Sequence, residues 1–166
     1  MRNIYNILEV ANTHGGNVDY ILDLLDEFKE FNKKNGFGIK FQPFKYDQIA
    51  TEDFGWYEVY QELYINASEW AKIFDKAYDT KDIWIDVFDL YGVSIIQKNL
   101  DNIYGLKLQT SILDNQEVYQ ALQGIDISKL KLIINIAGRS KTDIKDIVRK
   151  YEALNIEELL LEVGFQ

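Results

Sequence analysis

The sequence predicts an α/β domain built on parallel strands. Six short segments rich in Ile, Leu, Val and aromatic residues alternate with stretches whose apolar residues recur at helical spacing. Strict alternation of that kind implies parallel strands joined by right-handed crossovers. Size agrees: 166 residues, 47% of them apolar, suffice for one domain with a sizeable core. Alternation alone leaves strand order open, and an open doubly wound sheet of ordinary length is one solution.

The first strand runs from Ile4 to Ala11 with Glu9 inside it, and Asn12-Thr13-His14-Gly15-Gly16 is a polar turn. Asn17 caps a helix carrying Ile21, Leu22, Leu25, Phe28 and Phe31, which fades by Asn35-Gly36. Gly36 to Pro43 reads as the second strand, bounded by glycine and the only proline of the chain. Residues 46 to 65 are irregular and aromatic, so a long loop with a short helix is expected. Asn66 or Ser68 starts a helix with Trp70, Ile73, Phe74 and Ala77. Ile83 to Phe88 is the third strand, followed by a short helix around Val93 to Leu100. Ile103 to Leu108 is the fourth, and Asn115 opens a helix through Val118 and Leu122. Leu132 to Ala137 is the fifth, then a helix capped by Thr142 and passing through Ile144, Ile147, Val148 and Tyr151, then Glu158 to Val163 as the sixth.

Composition narrows the partners. The formal charge is −9 and the basic residues are scattered, which argues against a nucleic-acid backbone as ligand. No cysteine is present, so thiolate chemistry and disulfides are out, and a reducing cytoplasm suits the chain. The first residues lack the apolar core of a signal peptide, and no run approaches the ~20 apolar residues of a membrane span.

Ligands of such folds bind at the carboxyl ends of the strands. Each predicted strand delivers a polar residue there: Glu9; Lys40 with Gln42; Asp86; Lys107 with Thr110; Asn135; and Glu162 with Gln166. A lysine inside an apolar strand is costly unless its ammonium reaches water or an anion. Lys40 and Lys107 on one face therefore suit a phosphate or carboxylate, and the neighbouring carboxylate, amides and hydroxyls suit a polyhydroxylated partner. Ion pairs such as Lys40 with Glu9, or Glu162 with a lysine across the mouth, produce the same residue list. His14 reads as a turn residue bonding backbone, and the aromatics from Phe54 to Tyr64 as packing, with a sugar platform as the alternative.

Leu8-Glu9-Val10-Ala11-Asn12-Thr13-His14-Gly15-Gly16 followed by Lys40-Phe41-Gln42 resembles the opening of the N-acetylneuraminate (sialic acid) synthase family. Tyr57-Glu58 before Asn66-Ala67-Ser68-Glu69-Trp70, Phe88-Asp89-Leu90, Lys107-Leu108-Gln109-Thr110 and Lys131-Leu132-Ile133-Ile134 extend the likeness along the chain. The resemblance implies a (β/α)8 barrel, of which this single domain would be the N-terminal portion. It also implies condensation of phosphoenolpyruvate with N-acetylmannosamine or a related N-acetylated sugar, with a divalent metal, Mn or Mg, as cofactor. By position, Lys40 and Lys107 would bind phosphoenolpyruvate and Thr110 would donate a hydroxyl. Glu9 would face the sugar and transfer the proton, Gln42 would bind the sugar, and Gln166 would stand where the family has an Asn near phosphoenolpyruvate. Asn135, by its place in the fifth strand, either lines the substrate pocket or satisfies neighbouring loops. A homodimer is a further candidate assembly.

Three departures mark a divergent member. Asp86 stands where the family has a phosphate-binding Thr, Ile136-Ala137-Gly138 replaces Ser-Thr-Gly, and Thr13 replaces an Asn. A complete barrel needs about 200 residues or more, so six strands read as a partial barrel whose metal-binding histidines lie outside the sequence. Standing alone it would be inert. Two other functions fit: a non-catalytic domain of surface-polysaccharide biosynthesis that binds a sugar phosphate or a partner, and a Schiff-base aldolase using Lys107 or Lys40.

Overall fold

The computed structural model describes residues 4–163, so Gln166 lies outside the described residues. Six strands form one sheet: β1 (Asn6–Glu9), β2 (Phe37–Phe41), β3 (Asp82–Val87), β4 (Ile103–Leu108), β5 (Lys131–Asn135) and β6 (Glu158–Glu162). Between them run α1 (Val18–Glu27), α2 (Tyr46–Ile49), α3 (Tyr57–Leu63), α4 (Ala67–Tyr78), α5 (Leu90–Lys98), α6 (Gln116–Gln123) and α7 (Lys141–Glu152). All neighbouring strands pair in parallel, and their spatial order is their sequence order.

That order separates the two predicted architectures. A doubly wound sheet reverses direction at a switch point and carries helices on both faces. Here nothing reverses, so every right-handed crossover lays its helix on the same side. The result is a curled half-barrel with helices outside, a partial (β/α) barrel.

The alternation of side chains along each strand then assigns the two faces. Ile39, Phe41, Ile83, Ile85, Val87, Leu106, Leu108, Leu132 and Ile134 face the helices and are fully buried. Against them pack Ile21 and Leu25 of α1, Trp70, Ile73 and Phe74 of α4, and Ile95 and Ile96 of α5. The rings of Phe41, Trp70 and Phe74 meet at centroid distances of 5.6 to 5.8 Å.

The concave face begins with an aromatic floor. Trp84 lies across Gly38 and Gly105, where any Cβ would run into its ring system. Its indole N–H donates to the Tyr5 hydroxyl (3.0 Å), which donates to Asp82 (2.9 Å). A register shift between Ile83 and Trp84 skips Tyr104 and brings Gly105 opposite the indole. The floor fills the amino-terminal end of the half-barrel and leaves the carboxyl-terminal end for polar groups.

Several boundaries differ from expectation for local reasons. The predicted loop of residues 46 to 65 holds two short helices, α2 and α3, whose tyrosines pack edge to face. Ser140 rather than Thr142 caps α7, because Asp143 three residues on completes a reciprocal capping box with it. Asp89 caps α5, so that helix starts at Leu90 rather than near Val93. Asn17, Asn66 and Asn115 cap α1, α4 and α6.

Candidate functional site

The register brings the carboxyl-terminal polar residues of the concave face into one row. Glu9 is opposite Lys40, Asp86 opposite Lys107, and Asn135 opposite Glu162. Charge therefore alternates along the mouth: Glu9, Lys40, Asp86, Lys107, Glu162. The Lys40 ammonium lies 2.5 Å from Glu9 Oε2 and 3.4 Å from Asp86 Oδ2. The Lys107 ammonium lies 2.9 Å from Glu162. Gln109 donates to Asp86 Oδ2 (2.9 Å) and accepts from Asn135 (3.3 Å), whose own carbonyl holds the Ala137 N–H (2.9 Å).

Burial grades the row. Lys40, Asp86 and Lys107 are 6%, 0% and 7% exposed, whereas the side chains of Glu9 and Glu162 are 43% and 39% exposed. Burial works against the Lys40 charge, but the Glu9 and Asp86 carboxylates outweigh it and hold the ammonium above its ordinary range. Burial pushes the Asp86 carboxyl up, against the pull of Lys40, Gln109 and Lys107. Asp86 Oδ1 is buried without a hydrogen-bond partner among the described residues, and Glu162 Oε2 is buried against the Lys107 ammonium at 2.9 Å.

The two lysines thus share a face, as the sequence predicts, but each ammonium is held by a carboxylate of this chain. Of the two arrangements that the residue list allows, the structure shows the ion-paired one. The cause is Asp86, which lies beside Lys40 and opposite Lys107, together with Glu9 and Glu162 at the rim. Both rim side chains are partly exposed, so an anion could reach the lysines by displacing them.

Gln42 lies past the row and lines a cavity of about 390 Å³ above the ends of the first four strands. Asn12, Phe44, Gln48, Tyr60, Phe88 and Ser111 also line it, and no charged side chain does. Thr110 faces away from the lysines. Its hydroxyl donates to the Ala137 carbonyl (3.2 Å) and accepts from Arg139 Nε (3.0 Å), while Arg139 also binds the Thr110 carbonyl and Asp114. Asn135 joins the row only through Gln109. His14 is a buried turn residue: Nδ1 accepts from the Gly16 N–H (2.9 Å), its ring meets Trp70 edge-on, and burial lowers its pKa. Sequence reading passed over Gln109 and Arg139. Gln109 was accessible to it, standing two residues after Lys107 and so on the same face. Among the described residues, no group of three His, Cys, Asp or Glu side chains is placed to hold a metal ion.

Consecutive parallel strands in sequence order with helices outside define a class, the partial (β/α) barrel. No protein-family model matches the sequence, and no curated protein does. Solved structures do match in fold. A protein assigned as spore coat polysaccharide biosynthesis protein E from Chromobacterium violaceum aligns over 97% of this chain and 49% of its own, with TM-score 0.77 and 18% identity. An N-acetylneuraminic acid (sialic acid) synthetase from Leptospira borgpetersenii serovar Hardjo-bovis, in complex with citrate, aligns over 99% of this chain and 55% of its own, with TM-score 0.80 and 17% identity. Spore coat polysaccharide biosynthesis protein SpsE from Bacillus subtilis aligns over 96% and 43%, with TM-score 0.71 and 17% identity. The chain spans about half the length of these structures. At such identities the likeness establishes the fold.

Proposed function

We propose that the chain is the mouth-bearing part of a sialic acid synthase-like enzyme that condenses phosphoenolpyruvate with N-acetylmannosamine or a related N-acetylated sugar. The observation that carries this reading is the charged row, with Lys40 and Lys107 on one face at the carboxyl ends of β2 and β4. In the fold of a sialic acid synthetase, that is where an anion and a sugar would meet.

In the proposed reaction, carbon 3 of phosphoenolpyruvate attacks the sugar aldehyde, water adds to the resulting cation at carbon 2, and phosphate leaves. The substrate anion takes the place of Glu9 and Glu162 on the two ammonium groups. Glu9, once released, is at the right rim to shuttle the proton of the sugar oxygen or of the attacking water. Gln42 and the uncharged cavity beside it seat the sugar through amides and hydroxyls. A divalent metal would polarise the aldehyde, and the described residues offer no three-ligand set for it. The raised pKa of Lys40 runs against its use as the neutral amine of a Schiff-base aldolase.

Asp86 favours a second reading, a non-catalytic sugar-binding domain of surface-polysaccharide biosynthesis. A fully buried carboxylate between the lysines leaves the row with three acids to two bases, a poor host for a phosphate dianion. Phosphate release from phosphoenolpyruvate, measured with the full-length protein, Mn or Mg and a panel of N-acetylhexosamines, tests the choice. The synthase reading expects release with at least one sugar, reduced about a hundredfold or more in Lys40→Met and Lys107→Met. Sugar binding without release from any pair would replace it by the second reading.

A further inference from the structure

We infer that α2 and α3 carry a second saccharide subsite, adjoining the mouth cavity, for the next ring of an uncharged or amino-sugar chain. The inference rests on the reading that the mouth takes a sugar, and it makes the ligand longer than one ring.

A second hollow of about 450 Å³ lies against α2. It shares Gln48, Ile49 and Tyr60 with the mouth cavity, so the two are neighbouring chambers with a common wall. Gln48 stands at the junction, its amide oxygen fixed by the Tyr91 N–H at 2.9 Å. The outer chamber has an aromatic side: Phe54 stacks on Tyr60 at 6.1 Å with an interplanar angle of 12°. Phe54 is nevertheless 48% exposed. Flat aromatic surface left open beside amides and hydroxyls suits the apolar face of a pyranose ring.

Charge selects among saccharides. Asp47, Glu52, Asp53 and Glu58 lie in this segment, and no Lys, Arg or His occurs between Lys45 and Lys72. Lys45 itself is tied to Asp47 at 2.7 Å. A polyanionic glycan would be repelled, whereas neutral and amino sugars would not.

The test compares N-acetylmannosamine, N-acetylglucosamine, the neutral disaccharide diacetylchitobiose and a disialic acid dimer, with tryptophan fluorescence and calorimetry as readouts. The neutral disaccharide should bind about tenfold tighter than either monosaccharide, a gain of ~1.4 kcal/mol. Phe54→Ala should remove that gain and leave monosaccharide affinity unchanged. The disialic dimer should bind no tighter than a monosaccharide. Equal affinity for one ring and two, or a gain that survives Phe54→Ala, overturns the subsite alone. Failure of both monosaccharides and the neutral disaccharide to bind overturns the mouth reading with it.

Discussion

Alternate residues of the same strands write two opposite surfaces. Toward the helices, Ile39, Phe41, Ile83, Ile85, Leu106 and Leu132 are fully buried apolar side chains, and their contribution to the half-barrel is burial. Toward the concavity, Gly38, Lys40, Trp84, Asp86, Gly105 and Lys107 occupy the same strands in the same register, with an aromatic floor below and a charged row above. The first surface is redundant, since many side chains share the load. The second is specific, because each group has one or two partners and loses its compensation when one is removed.

That contrast can be broken from either side. The largest effect belongs to the helix-packed face: Phe74→Ala opens a void beside Phe41 and Trp70 and should cost about 3–5 kcal/mol, read from the urea midpoint. On the concave face Asp86→Ala takes a counter-ion from Lys40 and a partner from Gln109, and should cost about 1–3 kcal/mol. The double change Asp86→Leu with Lys40→Met should recover most of that loss, because it removes both buried charges together. A double-mutant cycle showing simple additivity would mean that the two groups are not coupled.

Alkaline pH sharpens the comparison further. Burial pushes the Tyr151 hydroxyl up to about 12 from its ordinary 10.0, and Lys40 is raised as well by its two carboxylates against the opposing effect of burial. Groups whose folded pKa is raised contribute stability that is complete below their unfolded pKa and is lost as pH climbs through the folded value. Thermal midpoints should therefore fall from about pH 10 to pH 12, and Tyr151→Phe should flatten part of that fall. The smallest effect is expected at the surface, where the Lys76 to Asp26 pair spans 2.6 Å in solvent. Lys76→Ala should change stability by no more than ~0.5 kcal/mol.

The sequence makes the strands legible because each is an apolar run closed by a turn, and the inward lysines legible because a lysine in such a run needs a reason. Strand order is not legible from alternation, since open sheets and barrels share it. Counter-ions were harder. Glu9 beside Lys40 was a visible candidate, but Asp86 beside Lys40 follows only once β2, β3 and β4 are in register. Thr110 has a partner that its position in the sequence does not reveal: the Arg139 guanidinium binds its hydroxyl and its carbonyl together. The capping of α7 by Ser140 shows a local choice between two suitable residues two positions apart, decided by which one has an acid three residues on.

The account stands on the lysine pairs of the mouth being able to open to a substrate anion. Heteronuclear NMR of the lysine ammonium groups during titration with phosphoenolpyruvate tests this directly. The Lys40 and Lys107 resonances are expected to move saturably while Glu9 and Glu162 lose their ion pairs. Resonances that stay fixed at millimolar phosphoenolpyruvate would contradict it.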